Sequence, residues 1–156
     1  MASVEQRLRR LEDVEEIRRL LEEYARCLDA GDHAAYAELF TEDGELDAQL
    51  GTAKGREAIR ALLDARLGDG GAPARRTAFH QIGNATIDVE GDRATSRVTW
   101  AYVTHDDGSY PLILQVGHYD DLLARDGGRW RFRRRTISRE FGFSPLDERA
   151  SFAPRL

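Results

Sequence analysis

The hydrophobic period of this chain changes once, near Thr77, and that change limits what the chain can fold into. Before it, Val4, Leu8, Leu11, Val14, Ile17, Leu21, Tyr24 and Leu28 recur every three or four residues, the stripe of an amphipathic helix running to about Ala30. Beyond it the spacing becomes strand-like. Phe79 to Val89 and Ala94 to Thr104 flank Gly91-Asp92, while Pro111 to Ala124 and Arg129 to Glu140 flank Asp126-Gly127-Gly128, so two hairpins are predicted. Helices first and paired strands afterwards define an α+β chain: a cone-shaped, curved antiparallel sheet wrapped around N-terminal helices, with a cavity under its concave face.

Within the helical half, Ser3 and Gln6 have the spacing of a capping box, and Asp13 marks a point where the long helix can be interrupted. Its first two turns, rich in Arg and Glu, are placed to reach a neighbouring subunit. Gly31 suits a left-handed helix end and Asp32 an N-cap, which fixes the junction to a short helix from Asp32 to Phe40. Asp43-Gly44 is a turn signal, with a short strand over Glu45 to Leu50. A further helix spans Arg56 to Leu67 with Ala58, Ile59, Leu62, Leu63 and Leu67 inward, and Asp69 to Pro73 breaks it as the loosest stretch of the chain.

At 156 residues the chain is one domain, residues 1–156, with 141–156 a tail that packs over the pocket or a neighbouring subunit. No apolar run approaches the ~20 residues of a membrane span, and the N-terminus lacks the apolar core of a secretory signal. The single cysteine, Cys27, cannot form an internal disulfide and reads as a small buried hydrophobe, so a reducing cytoplasm is expected. A net charge of −5 disfavours nucleic acid, and Arg133-Arg134-Arg135 reads as a solvated strand face in that context. Metal-ligand spacing and a glycine-rich dinucleotide loop are both missing, so no cofactor is expected.

The segments LDAGDHAAYAELFTEDGELD, KGREAIRALL, FHQIGNATIDVEGDRA and GHYDDLLARDGGRWRFRRR, taken in order, resemble the SnoaL-like family of the nuclear transport factor 2-like superfamily. The resemblance covers roughly Leu11 to Glu140. It is strongest to the branch of scytalone dehydratase, bile-acid 7α-dehydratase and hexachlorocyclohexane dehydrochlorinase, which use an Asp–His dyad for proton abstraction with elimination. It implies Asp29 and His80 as that dyad. Tyr24 matches the tyrosine of the bile-acid enzyme, His105 the second histidine of scytalone dehydratase, and Arg135 the arginine of the dehydrochlorinase. The serine and asparagine that scytalone dehydratase carries on its third long strand have no counterpart at Gly117 to Asp120, which argues against scytalone as substrate. The resemblance also implies a homo-oligomer, trimer or dimer, holding a small hydrophobic molecule in an enclosed pocket.

The chemistry has its own logic. A neutral imidazole is a usable base near pH 7, and a carboxylate on one ring nitrogen fixes the tautomer and stabilises the imidazolium. The dyad then removes a proton beside a carbonyl or aromatic ring and returns it to a departing β-hydroxyl. Tyr24, Tyr36 or Tyr102 is available to hydrogen-bond a developing enolate. The expected function is therefore a cofactor-independent lyase of the dehydratase type acting on a small cyclic or polyketide-like molecule. An isomerase or cyclase using the same dyad, or a noncatalytic binding protein, is the alternative.

Each residue also has a plainer reading. Asp29 can be an exposed helix end, although a negative charge there opposes the dipole. His80 can be a hydrogen-bonded core histidine, His105 an exposed hairpin residue and Tyr24 core filling. His33 and His118 read as structural or solvent-facing. Strand alternation sets Arg131, Arg133 and Arg135 against Trp130, Phe132 and Arg134, so without a bulge only one set faces a pocket and Arg135 falls on a charged outer face.

Overall fold

The computed structural model describes residues 3–68, 78–106 and 110–142. The segment expected to be loosest, residues 69–73, and the tail beyond residue 142 lie outside them.

Free N–H groups at a helix start need acceptors, and Ser3 supplies one while the Gln6 side chain reaches back to the Ser3 N–H, completing the capping box. From there α1 runs over Val4–Ala30 without a break. Asp13 does not interrupt it. That carboxylate is buried and accepts from the Trp130 indole at 3.1 Å and from the Arg125 guanidinium, so the sheet satisfies a polar group on the helix's inner face. Gly31, at φ 69°, ends the helix in the left-handed region that favours glycine. Asp32 then accepts from the Ala35 N–H at 3.0 Å and starts α2, His33–Glu38.

Strands begin earlier than expected. The stretch after α2 is β1, Phe40–Ala48, which turns into β2, Gly51–Lys54. Helix α3, Arg56–Leu67, follows. Ile59 and Leu63 are fully buried and Leu62 half-buried, whereas Ala58 is exposed and Leu67 is 44% exposed. The helix lies on its neighbours along a narrow i, i+4 stripe through Ile59 and Leu63; Ala58 falls beside that stripe, and Leu67, on it, is the last residue of the helix.

Four long strands follow among the described residues: β3 (Phe79–Glu90), β4 (Arg93–Asp106), β5 (Tyr110–Asp126) and β6 (Arg129–Gly142). The two predicted hairpins form, joining one six-stranded sheet in the order β2-β1-β6-β5-β4-β3. Neighbours are antiparallel except for β1 and β6, which run parallel because β1 leaves the helical pair in the direction of the last strand. Register breaks in β3, β5 and β6 bend the sheet.

The concave face holds the core. Ala94, Ser96, Val98 and Trp100 on β4 and Tyr119, Asp121 and Leu123 on β5 alternate inward to meet Ile17, Leu20, Leu21, Tyr24 and Cys27 of α1. Burial of each large apolar side chain stabilises by about 1.5–3 kcal/mol relative to exposure. The apolar stripe of α1 outruns the sheet: Val4, Leu8 and Leu11 are 78%, 54% and 67% exposed. No helix among the described residues is long and apolar enough to cross a membrane.

Candidate active site

The last turns of α1 cross edge strand β3, and this crossing brings Asp29 to His80. The Asp29 Oδ1 atom lies 2.7 Å from His80 Nδ1, and both carboxylate oxygens also accept from the His80 main-chain N–H at 3.1 Å. The Asp29 and His80 side chains are 7% and 19% exposed. An ionised carboxylate can only accept, so Nδ1 is the ring nitrogen that donates, and in the neutral form of the imidazole Nε2 is then the nitrogen with the lone pair. Among the described residues Nε2 has no hydrogen-bond partner. The exposed-helix-end reading of Asp29 does not hold, because β3 covers it.

The pair sits in a cleft of about 580 Å³ between α1 and β3. Leu21, Ala25, Ile82 and Val98 form its apolar wall, and Arg18, Glu22, Gln81 and Asn84 are polar lining residues. Asn84 has φ 50°, at the point where the β3–β4 register shifts between Gly83 and Thr86. Asparagine tolerates that left-handed conformation, and the bulge curls β3 around the helix. Across the ladder from His80 stands Tyr102, with ring centroids 4.9 Å apart, and Trp100 lies 6.3 Å away. Burial raises the pKa of Tyr102 above 10.0 and the charge of Asp29 raises it further, so this phenol stays a hydrogen-bond donor.

Tyr24 and Arg135 form a second cluster, deeper than the cleft. Arg135 is 0% exposed, so it does not stand on a charged outer face. The reason is a bulge: Leu122 pairs with Arg134 and Leu123 with Phe132, which leaves Arg133 unpaired and lets both Phe132 and Arg135 turn inward. Arg135 makes two bonds to Asp121, at 2.6 and 2.7 Å, and lies 3.9, 4.2 and 4.1 Å from the ring centroids of Tyr24, Tyr119 and Phe132. Burial alone lowers the Arg135 pKa, and the charge and hydrogen bonds of Asp121 more than reverse this. Tyr36 donates to the Tyr24 hydroxyl at 2.7 Å. Burial raises the pKa of both phenols, with Arg135 opposing the shift at each. Tyr24 is thus core filling as well as part of a polar network, and it does not line the cleft.

His105 is not brought to the pair. It is exposed near the end of β4, opposite Pro111, and strand alternation sets it on the other face of the sheet from Tyr102 and His80. His33 is buried and bonds Asp64 at 2.7 Å, tying α2 to α3. His118 lies between Asp120 and Glu140. Burial and the neighbouring Glu23 push the Cys27 thiol pKa to about 11, as an inert buried cysteine requires.

Asp121 and the core pair Trp100 and Tyr119, whose rings stack at 5.7 Å, carry no mark in the sequence patterns above. The alternation Tyr119, Asp121, Leu123 was a usable signal, since it sets a carboxylate on an apolar face where it needs buried partners, here the Arg135 guanidinium and the Ser96 hydroxyl, which donates at 2.7 Å.

Helices seated on the concave side of a curved, unclosed six-stranded sheet define the nuclear transport factor 2-like, cystatin-like fold. The chain belongs to the SnoaL-like domain family, whose model matches residues 9–136. It is 32% identical over 129 residues to an uncharacterised protein of Mycobacterium tuberculosis, covering 81% of this chain and 84% of the relative. A nuclear transport factor 2-like protein with a cystatin-like fold from Novosphingobium aromaticivorans is 36% identical, with a TM-score of 0.74 over 92% of this chain and 94% of that one. A second protein of that organism, given the provisional description scytalone dehydratase, is 28% identical, with a TM-score of 0.68 over 85% and 87% of the two chains.

Proposed function

We propose that this chain is a cofactor-independent lyase of the dehydratase type, with His80 as general base and acid and Asp29 as the group that orients it. The observation that carries the reading is the 2.7 Å contact of Asp29 with His80 Nδ1, which leaves Nε2 available inside a half-enclosed cleft. Nε2 takes a proton from the carbon beside a carbonyl, and the electron pair moves onto the carbonyl oxygen as an enolate. Collapse of the enolate expels a β-hydroxyl, which receives the same proton from Nε2 and leaves as water. Tyr102, its phenol kept protonated, is the nearest hydroxyl-bearing ring to stabilise the enolate, a role in which one preorganised donor contributes about 3 kcal/mol. The apolar wall suits a small cyclic or polyketide-like substrate, and the likeness to a protein described as scytalone dehydratase supports elimination. Arg135 and Tyr24 act from behind this site as a rigid support, and His105 has no part in it.

Turnover of a panel of cyclic β-hydroxyketones, followed by enone absorbance, tests the reading. His80→Ala and Asp29→Asn abolish turnover on a substrate the wild type accepts, with folding retained. Normal rates in both variants would eliminate the dyad.

The convex face supports self-association. Ile113, Leu122 and Phe141 are 64%, 50% and 70% exposed there, and a second copy of the chain is the partner we assign to them, as a dimer or trimer.

A further inference from the structure

The cleft beside Asp29 and His80 extends well past that pair. Strand β3 runs back along α1: its start is tied to Asp29, and the turn that follows it is tied to Asp13 through Arg125, whose main-chain N–H donates to the Asp92 carbonyl while its guanidinium reaches Asp13. Arg18 also lines the cleft, and it precedes Asp29 by eleven residues, three turns of helix or about 16 Å along the axis. One slot therefore has the dyad at one end and a guanidinium towards the other, with Leu21, Ala25, Ile82 and Val98 as the apolar wall between them.

Position around the helix decides which charges face that slot. At about 100° per residue, Arg18 falls within about 20° of both Asp29 and the buried Ala25, whereas Glu22 and Arg26 fall successively further round towards solvent. Arg26 is moreover neutralised by two bonds to Glu23, at 2.5 and 2.7 Å. Gln81 is engaged as well, donating to the Ile82 carbonyl. Arg18 has no hydrogen bond or ion pair among the described residues. Two carboxylates are within its helical reach. Glu15 is taken by Arg19 at 3.0 Å, and Glu22 follows Arg18 by four residues, the poorer order for a basic and an acidic side chain on one helix. The cleft thus keeps an accessible cation on the same face as its dyad, and the protein itself does not neutralise it.

We propose that Arg18 anchors a carboxylate of the substrate while the reacting carbon lies at His80. The inference rests on the reading of the His80 cleft as a substrate site, and it adds the substrate class: an organic acid whose apolar middle lies along Leu21, Ala25, Ile82 and Val98. A guanidinium presents paired N–H donors that match both oxygens of a carboxylate. Arg18 contributes affinity and register along the slot, and the proton transfer belongs to His80.

The probes are ω-benzoylnonanoate, a ketone with a carboxylate at the far end of an apolar chain, and its methyl ester. Calorimetry on the intact protein reads their affinities, and the NMR signals of the His80 ring report whether they reach the dyad. The proposal expects the acid to bind about tenfold more tightly than the ester, the effect of one charge-assisted hydrogen bond, and this margin to shrink as salt rises. Arg18→Gln, a change at an exposed side chain, brings the acid to the affinity of the ester and leaves the ester unchanged. Arg19→Gln removes a neighbouring charge that lies outside the cleft and leaves both affinities unchanged. Equal binding of acid and ester, no binding of the acid, or a loss in Arg19→Gln as large as in Arg18→Gln overturns the proposal. If both compounds move the His80 ring signals and Arg18→Gln changes neither affinity, the anchor falls and the dyad reading stands. If the margin of the acid depends on Arg18 while His80→Ala keeps full turnover of a confirmed substrate, the dyad reading falls and the anchor stands.

Discussion

Asp29 holds His80 by two of its groups, the ring Nδ1 and the main-chain N–H, so one carboxylate joins the end of α1 to edge strand β3. An asparagine at position 29 offers one acceptor oxygen and turns an N–H donor towards a second donor. Asp29→Asn therefore lowers stability by about 1–3 kcal/mol, the cost of a buried donor left unpaired. Urea denaturation measures it, and an unchanged midpoint would show that the main-chain contact contributes nothing.

Arg135 and Asp121 are both 0% exposed at their side chains, and each is the other's charge partner. Asp121→Asn strands a guanidinium among rings and costs about 3–5 kcal/mol, the range for breaking one half of a buried pair. Arg135→Lys fails to rescue the fold fully, since an ammonium cannot make two parallel bonds while lying flat on Tyr24 and Tyr119. Chemical denaturation of both variants checks this, and losses below about 1 kcal/mol would contradict it.

Tyr24 and Tyr36 are fully buried phenols whose pKa values are raised, chiefly by burial. The folded state therefore holds protons that the unfolded chain releases near pH 10, and stability falls as pH rises past that value. Below it the contribution is fully present. Tyr36→Phe flattens the loss between pH 9 and pH 11 by removing one such proton, on the ordinary phenol scale near ~10. Equal slopes for variant and wild type would refute the assignment.

On the convex face, Leu122→Glu sets a charge in the exposed apolar row with Ile113 and Phe141. Sedimentation is expected to give an oligomer for the wild type at micromolar concentration and a shift towards monomer for the variant. A wild type that sediments as a monomer removes the self-association proposal.

Much of the architecture could be read from spacing. Ser3, Gly31 and Asp32 announce their roles through local chemistry, and the paired turns at Gly91-Asp92 and Asp126-Gly127-Gly128 set both hairpins. Asp29 and His80 were legible because a helix end and a strand near an edge carry the two groups that a resemblance pairs. Arg135 was not readable as a buried residue, since its direction depends on a single unpaired residue, Arg133, which no local pattern marks. His105 was misplaced for a related reason: position in the sequence matched, but strand parity sets it on the opposite face. The parallel β1–β6 contact arises from elements far apart in the chain, which periodicity cannot relate.

The central claim is that Asp29 keeps the proton of His80 on Nδ1 and leaves Nε2 as the base. Long-range ¹H–¹⁵N correlation of the imidazole at neutral pH reads this directly. In the neutral imidazole the proton is expected on Nδ1 in the wild type, with that preference weakened in Asp29→Asn. A His80 protonated at Nε2, or a tautomer ratio indifferent to the substitution, would contradict it.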